Sequence, residues 1–305
     1  MKILFKNKYV LGDAAEDLIA LHHLHLSHPD VGINFDGCGR ELFDNVPWIN
    51  RAITEGTADK VCDLTQSLIH GCNSTAVHVV RCIEHDIAAA TGLAIRVLPL
   101  SLPICFTAKE QEDTTLWRNV GLAEKGYWVV DAGGKADTTT KIWPRDYFQE
   151  VIDRTRHAIQ WAQIGLPSDL HRPLENCVNL IGKTPKIRDL CRVIWRSAGV
   201  LTGISAPLHL ATMPMRDSNN LRPCVVVGGG REPASYTLYP NHHHFSAVGS
   251  LPCCRNGGCW KANVMPRNGG RDCERPTEVG GQECGQCMAD IKPREVADKI
   301  LSLCK

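Results

Sequence analysis

The residues best able to do chemistry stand in three loops, each lying between an apolar extended run and a helix-like pattern. Gly12-Asp13-Ala14-Ala15-Glu16-Asp17 is the first. A carboxylate at a strand–helix turn can act as a general base. Asp13 as N-cap with Glu16 three residues on also reads as a capping box, and the two roles are compatible. The second loop is Asp131-Ala132-Gly133-Gly134-Lys135-Ala136-Asp137-Thr138-Thr139-Thr140-Lys141. Its glycines let backbone approach a ligand closely. Lys135, Thr139, Thr140 and Lys141 then supply the donors and positive potential that suit a diphosphate. The P-loop spacing G-x4-G-K-[ST] is absent, and a solvated turn would have a similar composition. In the third loop, Thr202-Gly203-Ile204-Ser205-Ala206-Pro207-Leu208-His209, Ser205 would cap a short helix and His209 would lie in its first turn. Hydroxyl, amides and imidazole would then face one point, although a histidine in an apolar helix also serves as a core residue.

A separate chemistry belongs to the cysteines. Six of the fifteen fall within residues 253–287, in a Gly-rich stretch poor in apolar residues that needs a crosslink to hold its shape. Four thiolates arranged tetrahedrally hold Zn²⁺ or Fe and leave no open position, so such a site is structural. Cys254, Cys259, Cys273 and Cys287 are the expected ligands, with Cys253 and Cys284 as substitutes. Disulfides or buried free thiols are the alternatives. Cys38, Cys62, Cys72, Cys82, Cys105, Cys177, Cys191 and Cys224 lie among apolar neighbours and read as buried, reduced thiols.

The remaining histidines are weaker signals. His22-His23-Leu24-His25 fits a surface-to-boundary helix face. His242-His243-His244 fits a polar loop that could touch substrate or metal, and His70 and His78 flank a strand–helix connection.

What must position these loops is an alternation of strands and helices. Strands are expected at residues 3–10, 31–35 and 60–64, with helices at 13–27 and 75–90, the latter ended by Gly92. After a charged stretch at 107–125, read as a linker, come strands at 127–130, 160–164, 199–202 and 223–227. Helices are expected at 145–156, 187–198, 207–212 and 294–303. Two such runs predict an α/β protein of two Rossmann-like parallel-sheet domains facing a cleft. The boundaries are 1–123 and 124–305, the second including the cysteine-rich segment 250–290. Ligands then bind beyond the carboxyl ends of the strands.

Composition narrows the function. With 34 basic and 33 acidic residues spread evenly, no basic stripe argues for nucleic acid. No apolar run is long enough to span a membrane, and the N-terminus lacks the apolar core of a signal peptide. A cytoplasmic protein is expected.

In this order the loops resemble glycosyltransferase family 9, the group of the ADP-heptose:lipopolysaccharide heptosyltransferases. The resemblance runs through Leu11-Gly12-Asp13, Lys141-Ile142-Trp143-Pro144, Val178-Asn179-Leu180-Ile181-Gly182-Lys183-Thr184 and Pro207-Leu208-His209-Leu210-Ala211. The stretch from Val225 through Arg231-Glu232-Pro233 and Tyr239-Pro240 to Cys253-Cys254-Arg255-Asn256-Gly257-Gly258-Cys259-Trp260 is similar to a cysteine-bearing subgroup. That subgroup is related to bacterial protein heptosyltransferases with a four-cysteine iron site. The resemblance implies a GT-B fold, a nucleotide diphosphate sugar donor on the C-terminal domain and an inverting mechanism without a catalytic metal. It implies Asp13 as base toward a hydroxyl acceptor on a protein or glycan, and Lys141 on the donor diphosphate. Ser205 and His209 would line the phosphate side, with Gly182, Lys183 and Thr184 near the nucleotide. Family members carry an acidic residue where this chain has Ile204. That departure leaves room for a second reading, a non-enzymatic metal-stabilised scaffold on a relic fold. Assembly is left open, a homo-oligomer included.

Overall fold

A computed structural model describes residues 1–64, 76–122, 126–133, 139–167, 171–216, 220–259 and 273–304, without the Thr139 side chain. The first half runs β1 (Lys2–Asn7), α1 (Leu11–Ser27), β2 (Gly32–Gly37), a 3₁₀ turn (Arg40–Phe43), β3 (Lys60–Asp63) and α2 (Val79–Thr91). Two short helices follow, α3 (Ala108–Glu112) and α4 (Thr115–Val120). The second half runs β4 (Tyr127–Asp131), a 3₁₀ turn (Thr139–Lys141), α5 (Arg145–Thr155), β5 (Gln160–Ile164), β6 (Val178–Asn179), α6 (Ile187–Trp195), β7 (Gly199–Gly203) and α7 (Ala206–Leu210). It continues through β8 (Cys224–Gly229), α8 (Ala234–Thr237), β9 (His242–Ser246), the hairpin β10 (Pro276–Val279) and β11 (Gln282–Gly285), then α9 (Gln286–Ala289) and α10 (Pro293–Leu303).

Two parallel sheets organise the chain, ordered β2-β1-β3 and β6-β5-β4-β7-β8-β9. Strand periodicity explains how the second is buried. Along β4, Tyr127 and Val129 face one core while Trp128 and Val130 face another. The second of these cores packs α5, through Phe148, Val151 and Ile152, beside α10, through Val296 and Ile300. The other core is continuous across both sheets, from Ile3, Phe5 and Leu18 to Tyr127, Val200 and Leu208. Helix α1 packs on α2 on one side and α7 on another, so its apolar residues surround it rather than forming one stripe. That double contact brings the first half against the second.

Several expectations need correction. The stretch read as a linker holds α3 and α4. Thr107 and Glu110 form a capping box there, and Trp117 is buried. Two of its acidic residues are ion-pair partners of α6: Glu110 binds Arg188 and Asp113 binds Arg192. Cys82 is disulfide-bonded, not reduced, and Cys38 is exposed; Cys72 and His70 lie outside the described residues. His23 is buried against Glu84, while His22 and His25 stack on Trp48. His242–Ser246 is an edge strand, because its backbone completes the sheet beside β8 whatever its side chains prefer.

Candidate active site

Helix α1 begins at Leu11, two residues before Asp13, so Asp13 occupies N3 rather than the N-cap. Its Oδ2 accepts the Val10 N–H at 3.2 Å, which satisfies one of the amides left over at a helix start. The carboxyl remains half-exposed at the head of the helix. One turn on, Glu16 is buried, with Oε1 at 3.4 Å from His209 Nε2 of α7. Gly12 packs beside the same ring: a Cβ there would make ordinary van der Waals contact with His209, at 3.4 Å. Burial first, then the charges of Asp13, Asp17 and Glu232, raise the Glu16 carboxyl well above its ordinary value, with Lys141 opposing. Asp17, also raised by burial, accepts from the Asn7 amide.

The facing wall comes from the carboxyl ends of β4, β7 and β8. Lys141 lies on the 3₁₀ turn after β4, with its carbonyl beside Gly203 at the end of β7. Its Nζ reaches Glu232 Oε1 at 3.1 Å, and Arg231 Nη1 donates to the same oxygen. Burial opposes ionisation of Glu232. Lys141 and Arg231 outweigh it and hold the carboxyl below its ordinary value. Thr140 is buried next to Lys141. Ser205 is at the N-cap of α7, but its hydroxyl does not cap the helix. It donates instead to Asp131 Oδ2 at 2.7 Å and lies 2.9 Å from the Thr202 hydroxyl. Ile204 is buried against Gly228.

His209 is neutral. Burial, then His78, Lys141 and His244, push its pKa down to about 3. Its Nδ1 lies 2.9 Å from the Tyr239 hydroxyl, whose ring also meets the edges of His78 and His242.

The structure thus gathers Asp13, Lys141 and His209 around Glu16. Gly182, Lys183 and Thr184 are expected on the nucleotide side. These lie on the loop after β6, where Gly182 donates to the Gly165 carbonyl at 2.9 Å. Lys135 and the Thr139 side chain are outside the described residues. Sequence reasoning gave Glu16 only a capping role and assigned no role to Arg231, Glu232 or Tyr239. The glycine run before Arg231 was the available signal.

The cysteine segment abuts this wall. Gly230 donates its N–H to Cys287 Sγ at 3.3 Å, and Cys259 N–H donates to the Gly230 carbonyl at 3.0 Å. Cys253, Cys254, Cys259, Cys273, Cys284 and Cys287 are free thiols. Burial, then Cys287, Cys253 and Cys273, push the Cys259 thiol up to about 12, so these sulfurs lie close enough to oppose one another's ionisation. Cys284 packs in an apolar group with Ile142 and Ala289, and Cys273 acts on its thiol as well. Among the described residues, no group of three or more His, Cys, Asp or Glu is arranged to hold a metal ion. One reason is that Cys254 Sγ turns to the Ala247 and Leu251 carbonyls, at 3.3 and 3.4 Å.

Neither protein-family models nor curated proteins match this sequence. Solved structures do. A glycosyl transferase family 9 protein from Veillonella parvula matches with a TM-score of 0.67 at 14% identity, over 99% of this chain and 97% of that one. The chain has their fold. TibC, an iron-containing dodecameric glycosyltransferase from enterotoxigenic E. coli, matches with a TM-score of 0.65 at 14% identity, over 99% of this chain and 75% of that one. The ADP-heptose lipopolysaccharide heptosyltransferase II of E. coli matches with a TM-score of 0.58 at 14% identity, over 100% and 98%. Among the described residues, no helix is long and apolar enough to cross a membrane.

Proposed function

We propose that the chain is an inverting glycosyltransferase, moving a sugar from a nucleotide diphosphate donor to a hydroxyl acceptor. One observation carries this reading. Asp13, from the first half, and Lys141, from the second, both act on the buried Glu16 carboxyl, one raising and the other lowering its pKa, and Glu16 itself lies 3.4 Å from His209 of α7. Asp13 takes the acceptor proton as the acceptor oxygen attacks the anomeric carbon, and the bond to the diphosphate breaks on the opposite face. Lys141 neutralises charge growing on the diphosphate, where fixed donors lower a barrier most. Ser205 and neutral His209 stand behind the phosphates, with Lys135, Thr139 and Thr140 as further donors. Gly182, Lys183 and Thr184 lie on the nucleotide side.

The fold neighbours include enzymes named for ADP-heptose, which makes a heptose the first donor sugar to try, and a protein or glycan hydroxyl the first acceptor. The acceptor side spans residues 1–123 and the donor side 124–305. Thirteen free thiols among the described cysteines favour the cytoplasm. Asp13→Asn is expected to cut turnover by about 10²–10⁴, the worth of a general base. Near-normal transfer by that variant removes Asp13 from the role, and a wild type that turns over no nucleotide sugar removes the reaction.

Cys254, Cys259, Cys273 and Cys287 are the ligands we assign to a structural Fe or Zn ion, because a cation relieves the mutual opposition of crowded thiolates. Binding requires Cys254 to turn from its carbonyl partners. Elemental analysis of purified protein checks this assignment at about one ion per chain. Metal-free protein with the same unfolding temperature counts against it.

A further inference from the structure

A neutral imidazole carries one ring hydrogen, and the nitrogen that holds it is a donor while the other offers a lone pair. His209 is buried and its pKa is pushed down to about 3, so near neutral pH it holds one hydrogen and not two. Its neighbours decide where. On one side, Nδ1 lies 2.9 Å from the Tyr239 hydroxyl. On the other, Nε2 turns to the head of α1, 3.4 Å from Glu16 Oε1 and 3.7 Å from where a Cβ on Gly12 would stand.

Counting acceptors for the phenol places the hydrogen. Tyr239 is only 2% exposed, so bulk water does not serve it. Burial, then Glu16, raise the phenol well above its ordinary value, so it keeps its hydrogen. The rings of His78 and His242 stand edge-on to it, but among the described residues His78 Nε2 and both His242 nitrogens make no hydrogen bond. His78 Nδ1 is taken by the Val80 N–H. His209 Nδ1 is the acceptor left. Were Nδ1 to carry the ring hydrogen instead, the phenol hydrogen would be buried without a partner, the costlier arrangement.

We propose that Tyr239 is a positioning residue for His209: its hydroxyl donates to Nδ1 and fixes the tautomer with hydrogen on Nε2, which gives that nitrogen an N–H to offer an oxygen of the donor diphosphate. This rests on the sugar-transfer reading for the identity of that anion. With the opposite tautomer, Nε2 would present a lone pair and repel a phosphate oxygen. The Glu16 carboxyl suits the assigned tautomer, because a carboxyl oxygen accepts whether or not the group is ionised. The phenol is also firmly held. The Tyr239 carbonyl accepts the His242 N–H at 3.1 Å, closing a turn in which Asn241 has φ 62°. The Asn241 amide in turn donates to the Leu221 carbonyl at 2.7 Å, and β9 begins at once.

Nitrogen-15 NMR of histidine-labelled protein tests the assignment, with the His209 signals found by their loss in His209→Gln. Free wild type is expected to carry hydrogen on His209 Nε2. Tyr239→Phe keeps the ring against His78 and His242 and removes only the hydroxyl. It is expected to populate both tautomers and, by calorimetric titration, to weaken inorganic pyrophosphate about 2- to 12-fold, the worth of one neutral hydrogen bond. In a His209→Gln background, where an amide supplies the N–H with no tautomer to set, Tyr239→Phe is expected to weaken pyrophosphate no further. Wild type with hydrogen on Nδ1 overturns the proposal, even where Tyr239→Phe fails to fold. So does an unchanged tautomer in cooperatively unfolding Tyr239→Phe, an equal loss of pyrophosphate in both backgrounds, or a wild type that binds no pyrophosphate. The assigned tautomer with pyrophosphate bound but no nucleotide sugar turned over keeps the inference and removes sugar transfer. Sugar transfer by a wild type with hydrogen on Nδ1 does the reverse.

Discussion

Arg188 meets Glu110 fork to fork, while Lys141 and Arg231 meet Glu232 two to one. In the first set, Arg188 Nε and Nη2 each take one Glu110 oxygen, at 2.5 and 2.8 Å. The remaining donors go to the carbonyls of Glu41, Asp44 and Cys105, and Phe106 lies under the guanidinium. Arg192 repeats the pattern one turn on, with Asp113, Asp189 and the Trp117 ring. Two arginines meet three carboxylates there. The second set, on the cleft side, brings two cations to one carboxylate. The first set holds α6 to the α3–α4 segment; the second ties the turn after β4 to the loop after β8.

That contrast can be broken from the scaffold side. Arg188→Ala is expected to cost about 3–5 kcal/mol of stability, because it strands a partly buried carboxylate and several carbonyls. Its folded fraction should bind pyrophosphate as wild type does. Denaturant unfolding read beside calorimetry checks both, and a binding defect larger than the stability loss would merge the two sets into one. A smaller effect is expected with pH. Hydrogen bonds from Arg188 hold the Glu110 carboxyl down to about 2 against the opposing effect of burial. Stability from this pair is therefore complete above the unfolded carboxyl range, near about 4.3. It is lost as pH falls toward about 2. Glu110→Gln should flatten that part of the stability curve, as read by urea midpoints across the acid range. An unchanged acid slope would place the sensitivity elsewhere.

The sheets were readable because buried parallel strands are continuous apolar runs. Val225-Val226-Val227 in β8 and Tyr127-Trp128-Val129-Val130 in β4 show this plainly. The start of α1 was misplaced because Asp13 looked like a cap, whereas Asp13 serves equally well at N3. β9 was hidden because three histidines carry little strand preference, and the edge of the sheet decides their conformation. The 107–125 stretch was misread because its charges have partners on α6, about eighty residues away, and no local period reports them. Lys141 was legible as a cation in a glycine and threonine loop. Glu232 was not, because what distinguishes it is the company of Lys141, which only the fold supplies.

Gly230 gives its hydrogen to a sulfur and takes one from the peptide of Cys259, with Arg231 one bond further along. A single residue thus belongs to two modules at once. Excising the cysteine hairpin, or grafting it onto another sheet, would remove both backbone anchors of the loop that follows β8.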